Sequence, residues 1–194
     1  MITLTKGDEP ADLGGVTRLD VGISWDKSDQ QAKGLMGRIK RKQGVDLDLI
    51  AILVQGDQPV RYAGINNLDP MKDGTVVHSG DNTTGEGDGD DEVVQCFLDK
   101  IRDNITSVIF CAVAFKPKTS FEKADNVSFT VYDASDGKQG AVAEIMPSLL
   151  GGGNACAIAK AYRDGPGWKF TVINERGPIT QGDFTSLLRF GLGK

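Results

Sequence analysis

Between Leu19 and Trp25 the chain alternates without a break: Leu19, Val21, Ile23 and Trp25 are apolar, with Asp20, Gly22 and Ser24 between them. Successive side chains of a strand point to opposite faces, so this period of two predicts a half-buried β-strand with Asp26 at its exit. A different pattern runs over 45–54, Val-Asp-Leu-Asp-Leu-Ile-Ala-Ile-Leu-Val, where two acids precede an unbroken apolar run. It predicts a strand on which Asp46 and Asp48 share one face. Further strands are predicted over 60–65, 75–78, 93–98, 106–115, 127–133, 156–162 and 168–173, separated by clusters of Gly, Pro, Asn and Asp. Helical periodicity is scarce. Its candidates are 119–125 and 183–190, the latter with Asp183 as N-cap and Leu187, Leu188 and Phe190 on its apolar side. Many short strands with turns between them read as an all-β chain: a β-sandwich of two antiparallel sheets with a few short helices. Loops of a sandwich gather at its ends, which would bring Asp26, the start of the Asp46 strand, Asn66-Asn67 and the loop after His78 together.

A chain of 194 residues can bury one good core, and 1–194 is expected to be a single domain. The 25 glycines point to many loops, and 39% hydrophobic with 25% charged residues is a soluble composition. No apolar run approaches the ~18 residues of a membrane helix, and Met1 leads into Ile2-Thr3-Leu4-Thr5-Lys6 rather than a signal core, so a cytoplasmic location is expected. A net charge of −5 argues against nucleic acid as a partner, because that binding needs a field that attracts phosphates. Cys96, Cys111 and Cys156 lie far apart in apolar or small-residue stretches, which suits buried hydrophobes and not a zinc site.

The average charge conceals a local extreme. Gly80-Asp81-Asn82-Thr83-Thr84-Gly85-Glu86-Gly87-Asp88-Gly89-Asp90-Asp91-Glu92 places six carboxylates in one loop-length stretch. Like charges so close raise one another's pKa, so the cluster must splay into solvent, take protons or take a cation. Gly85, Gly87 and Gly89 alternate with acids and let the backbone turn carbonyls towards a common centre. Carboxylates, an amide side chain and carbonyls are the oxygen ligands calcium accepts, at irregular angles. A phosphate cradle is excluded by repulsion, and an EF-hand beginning at Asp81 fails because Glu86 stands where the sixth-position glycine belongs. A solvated acidic linker remains as the alternative. Asp46 and Asp48 likewise require either a metal or a distant Arg, since buried charge is costly unless paired.

Catalysis finds little support. The single histidine, His78, adjoins Ser79 at a strand end, where neighbours face opposite ways, so no base stands beside a nucleophile. It reads as a strand-end residue with a satisfied ring, or as a group orienting a metal ligand. A metal-dependent phosphodiester hydrolase would also want a cationic clamp, and no Arg or Lys lies between Gly74 and Leu98. A third reading is a scaffold whose stability is indifferent to calcium.

The acidic string resembles the TerD family of tellurium-resistance and stress-response proteins. Further matches are Val21-Gly22-Ile23-Ser24-Trp25-Asp26, Asp46-Leu47-Asp48, Asn66-Asn67, Asp73-Gly74, Val77-His78-Ser79-Gly80 and Gly167-Trp168-Lys169-Phe170, in family order from Ile2 to about Ile173. The resemblance implies a sandwich binding two calcium ions at one end, in a non-enzymatic cytoplasmic protein associated with resistance to tellurite, phage and envelope stress. It implies metal-binding roles for Asp26, Asp46, Asp48, Asn66, Asp81, Asn82, Gly85, Glu86, Gly87, Asp90, Asp91 and Glu92, with carbonyls supplied by the glycines. Its implied partners are other Ter-type proteins, including a membrane component, engaged through calcium-dependent contacts. The chain departs from shorter members in a basic insert at 27–44, closer to the TerZ branch, with Lys33, Arg38, Lys40, Arg41 and Lys42 beside Leu35, Met36 and Ile39. That insert reads as a solvated hairpin, or as a contact for an anionic membrane face or acidic partner. The stretch Asn174-Glu175-Arg176-Gly177-Pro178 departs as well.

Overall fold

The computed structural model describes residues 2–27, 46–83, 85, 89–114, 121, 124–138, 140–145, 153–180 and 182–193. Its strands are β1 (Ile2–Thr3), β2 (Ala11–Asp12), β3 (Arg18–Lys27), β4 (Asp48–Gln55), β5 (Gln58–Ala63), β6 (Val76–His78), β7 (Glu92–Phe97), β8 (Ser107–Val113), β9 (Ala124–Asp133), β10 (Gly140–Ile145), β11 (Ala155–Asp164) and β12 (Gly167–Gly177). A helix, α1 (Phe184–Leu192), follows them. Sheet A has the order β1-β10-β9-β3-β7-β6 and sheet B the order β2-β12-β11-β8-β4-β5. The two are antiparallel apart from the short β1–β10 edge pair, which is parallel.

The alternation in β3 has a simple origin. Leu19, Val21, Ile23 and Trp25 point between the sheets, into a core shared with Leu49, Leu53, Phe110, Phe129 and Phe170. The unbroken apolar run of β4 has another. Leu49, Ala51 and Leu53 face the inter-sheet core, whereas Ile50, Ile52 and Val54 face a second cluster on the outside of sheet B. That outer face is roofed by α1, whose Leu187 and Leu188 are buried on it and whose Phe184 stacks on Tyr62 with ring centroids 4.2 Å apart. A strand covered on both faces loses its polar positions. Cys96, Cys111 and Cys156 are free and buried, and burial pushes all three thiols above the ordinary cysteine range, Cys156 to about 12.

Several expectations shift. β4 opens at Asp48, so Asp46 and Leu47 lie in the approach and the two acids are not paired along one strand. Of the helix expected over 119–125, Ala124 and Asp125 belong to β9, Phe121 is buried against the core, and the rest lies outside the described residues. So does 28–44 of the basic insert. β10, Gly-Ala-Val-Ala-Glu-Ile, escaped the pattern because small residues give weak alternation, and β1 and β2 are too short to show one. The helix expected over 183–190 is present: Asp183 caps it by accepting from the Ser186 N–H at 3.0 Å, and Gly193 closes it in the left-handed region.

Gly191 lets α1 lie flat, because a Cβ there would stand 2.6 Å from Ile109 Cγ2. Gly191→Val should therefore lift the helix from sheet B and cost about 1–3 kcal/mol. A urea denaturation midpoint equal to wild type would show that the roof tolerates the displacement.

Candidate metal centre

The loop after β6 returns as β7, and the two strands pair directly, so the whole acidic segment is one long connection between neighbours in sheet A. Its neck is closed by the Ser79 N–H to Val93 carbonyl bond at 2.8 Å and by the Val93 N–H to Ser79 Oγ bond at 2.9 Å. Glu92 is the first residue of β7 and is fully buried at 0% exposure. Its carboxylate crosses to sheet B, where Oε2 accepts the Leu49 N–H at 2.7 Å, while Oε1 accepts the Asn82 N–H at 3.2 Å. The last β4–β5 pair is Ala51 with Ala63, so Leu49 lies beyond the end of β5, and side chains from sheet A complete its bonding. His78 performs the second half of that task. Its Nε2 is 3.0 Å from the Leu49 carbonyl and 3.4 Å from Glu92 Oε2, and its Nδ1 accepts the Gly80 N–H at 3.0 Å. Accepting at Nδ1 fixes the Nε2–H tautomer. The expected strand-end histidine with a satisfied ring is what the fold contains.

Asp48 enters this junction from β4 with 3% of its surface exposed. Its Oδ1 is buried and has no hydrogen-bond partner among the described residues. Carboxylate oxygens of Asp48, Asp81 and Glu92 lie within 4.8 Å of one another. Burial, then the charges of Glu92, Asp46 and Asp81, push the Asp48 carboxyl up to about 7, and His78 opposes them. Asp46 thus reaches Asp48 as a neighbouring charge despite lying outside the strand.

A second group adjoins the first. Trp25 lies at an irregularity of the β3–β9 register and past the last β3–β7 pair, and its N–H donates to Asp91 Oδ2 at 3.0 Å. The other Asp91 oxygen accepts from Asn82 Nδ2 at 2.8 Å, and Asn82 Oδ1 accepts the Gly85 N–H at 3.1 Å. Burial and the nearby charge of Asp26 raise the Asp91 carboxyl above its usual range. Gly85, at φ +59°, rests on Trp25: a Cβ would stand 2.4 Å from Nε1, so no other residue fits. Asp90 turns elsewhere, to the outer face of sheet A, where Oδ2 accepts the Tyr132 hydroxyl at 2.6 Å. Asn66 is exposed in the turn bridged by Gly64 and Asn67, and Glu86 and Gly87 lie outside the described residues. Sequence reasoning passed over the Leu49 peptide and Tyr132; neither carries a local signal, because each meets the loop only through the fold.

The donor set is all oxygen and mostly anionic, and among the described residues nothing donates to the buried Oδ1 of Asp48. Such a set fits a hard divalent cation. Fold and site together define a two-sheet β-sandwich with a carboxylate cluster at the mouth of its core. The TerD domain profile matches residues 1–188. Tellurium resistance protein TerX of Serratia marcescens is 30% identical, over 97% of this chain and 98% of its own. TerZ of the same organism is 29% identical over 89% of each chain, and a stress response protein of Bacillus subtilis (strain 168) is 28% identical over 90% of this chain and 87% of its own. The chain belongs to the TerD domain family. A crystal structure of a homologue of telluride resistance protein (TerD) from Streptomyces coelicolor A3(2) shares the fold, with a TM-score of 0.66 at 23% identity over 91% of this chain and 98% of that one. No helix among the described residues is long and apolar enough to cross a membrane.

The raised Asp48 carboxyl fixes a pH dependence for protein kept free of divalent ions. The folded state holds this proton more tightly than the unfolded chain does, so its contribution is complete below about pH 4 and is lost as pH rises towards 7. The full shift corresponds to roughly 4 kcal/mol. In chelator, wild type should be less stable at pH 8 than at pH 5, and Asp48→Asn should flatten that slope in urea melts. Equal slopes would remove Asp48 as its source.

Proposed function

We propose that this chain is a calcium-binding, non-enzymatic member of the stress-response and tellurium-resistance family, and that the ion is held by Asp48, Asp81 and Glu92. The observation that carries the reading is the buried Oδ1 of Asp48, without a hydrogen-bond partner among the described residues and set among three converging carboxylates. Asp48 belongs to sheet B and Glu92 to sheet A, so an ion shared by them joins the sheets, with Asp81 closing the loop over it. Calcium would supply positive charge that cancels the repulsion among these acids, and no bond-making chemistry is asked of it. Asp26, Asn82, Gly85 and Asp91 form the region of a second ion.

A hydrolytic role draws no comparable support. Both ring nitrogens of His78 are engaged by Leu49 and Gly80, which leaves the imidazole no proton-transfer vacancy. The reading therefore assigns the loop to recognition. With calcium bound it would present one fixed shape to other Ter-type proteins, a membrane component among them, from the cytoplasmic side.

Calorimetric titration of chelator-stripped protein should find about two calcium ions, weakly competed by magnesium, whose smaller shell demands stricter geometry. At a hundredfold excess over Kd each independent site should add about 2.7 kcal/mol to stability. Asp48→Asn and Asp81→Ala should each lose one ion while remaining folded. Unaltered stoichiometry in both would reject the assignment, and absence of binding to wild type would return the cluster to proton chemistry alone.

A further inference from the structure

Asp90 is the described acid of the loop that points away from Asp48, and its surroundings are specific. Its carboxylate lies flat on the outer face of β3, where a Cβ at position 22 would stand 2.1 Å from Oδ2 and 2.2 Å from Cγ; only glycine leaves that seat open. Tyr132, on the neighbouring β9, donates its hydroxyl to the same Oδ2 at 2.6 Å. A phenol to carboxylate bond of this length belongs to the strong, charge-assisted kind. The next residue continues the attachment: the Asp91 N–H donates to the Ile23 carbonyl at 2.7 Å, and Asp91 Oδ2 accepts from the Trp25 N–H at 3.0 Å. Glu92 then opens β7. Three successive acids are therefore fastened in turn to the outer face of sheet A, to the β3 backbone and to the sheet junction.

From this we infer that Gly22 and Tyr132, both remote from the acidic loop in sequence, form a latch that seats Asp90 and so positions Asp91 and Glu92 for a cation. Tyr132 is a positioning residue, and Asp90 acts through its seat and not as a ligand. The role of the latch in ion binding rests on the calcium reading above, but the latch itself exists without an ion. A loop already fastened spends less of its binding free energy on ordering, so a lost latch weakens binding without removing a site.

Two variants probe it. Tyr132→Phe deletes one hydroxyl, and Gly22→Ala fills the seat with a residue that a strand accepts. In chelator, amide hydrogen exchange at Trp25 and Asp91 should quicken about tenfold in both, as expected when a bond worth about 1.4 kcal/mol is lost, while Ile109 and Phe110 of β8 stay protected. In calcium titrations both should bind the wild-type number of ions about tenfold more weakly. The Asp90→Ala, Tyr132→Phe double variant should be no weaker than Asp90→Ala alone. Wild-type exchange and affinity in Tyr132→Phe would overturn the latch, and so would loss of a whole ion in Asp90→Ala, which would make Asp90 a ligand. If wild type takes no calcium, the exchange measurement still decides the latch, and the calcium reading fails separately.

Discussion

The peptide group of Leu49 is the point on which this end of the molecule depends. β5 has ended before it, so its N–H and C=O would be buried without ladder partners, a costly condition for main-chain groups. Glu92 and His78 satisfy them from the opposite sheet. That solution has a consequence for everything near it. A carboxylate is drawn into the core to meet a backbone donor, Asp48 stands beside it on the same strand as Leu49, and Asp81 completes a group of like charges. The closure of the fold and the chemistry of the site are therefore one arrangement. Whatever relieves the repulsion, a proton or a cation, acts directly on the contact between the sheets.

The two sheets bring different properties to that contact. Sheet B is enclosed on both faces, by sheet A and by α1, and β4 is buried from Asp48 to Val54, so Asp48 stands on a tightly packed element. Sheet A contributes the long connection between β6 and β7. Asp48 and Glu92 are thus presented by strands, and Asp81 by a segment whose course is set by local fastenings: Gly85 against Trp25, Asn82 between Asp91 and Glu92, Asp90 over Gly22. Carboxylates held by two sheets and by the connection between β6 and β7 suit a hard cation that accepts irregular coordination.

Much of this was legible in the chain because it is periodic or local. The alternation of Leu19 to Trp25 marked β3 and its inward face, and the Asp183 cap with Leu187 and Leu188 marked α1. The acidic string, spaced by glycines, marked the loop and its chemistry. What stayed hidden depends on distance along the chain. That β4 begins at Asp48 is decided by where β8 ends, at the Asp48–Val113 pair. The unbroken apolar run of β4 announced burial but could not name α1, more than a hundred residues later, as its cover. Tyr132 and Gly22 look like ordinary strand positions until β9 and β3 are placed side by side. Asn66, set beside the acids by resemblance, sits exposed in its turn.

The buried cysteines bear on how a protein of a tellurium-resistance family meets oxidants. Thiol nucleophilicity and redox reactivity belong to the thiolate. Cys96, Cys111 and Cys156 are enclosed, with thiols held above their ordinary range, so at neutral pH each remains protonated and out of reach of solutes. The folded chain thus offers no cysteine thiol as a sacrificial reductant. Its three thiols are enclosed in the apolar clusters on the two sides of sheet B, so an oxidant meets packed side chains before it meets a cysteine.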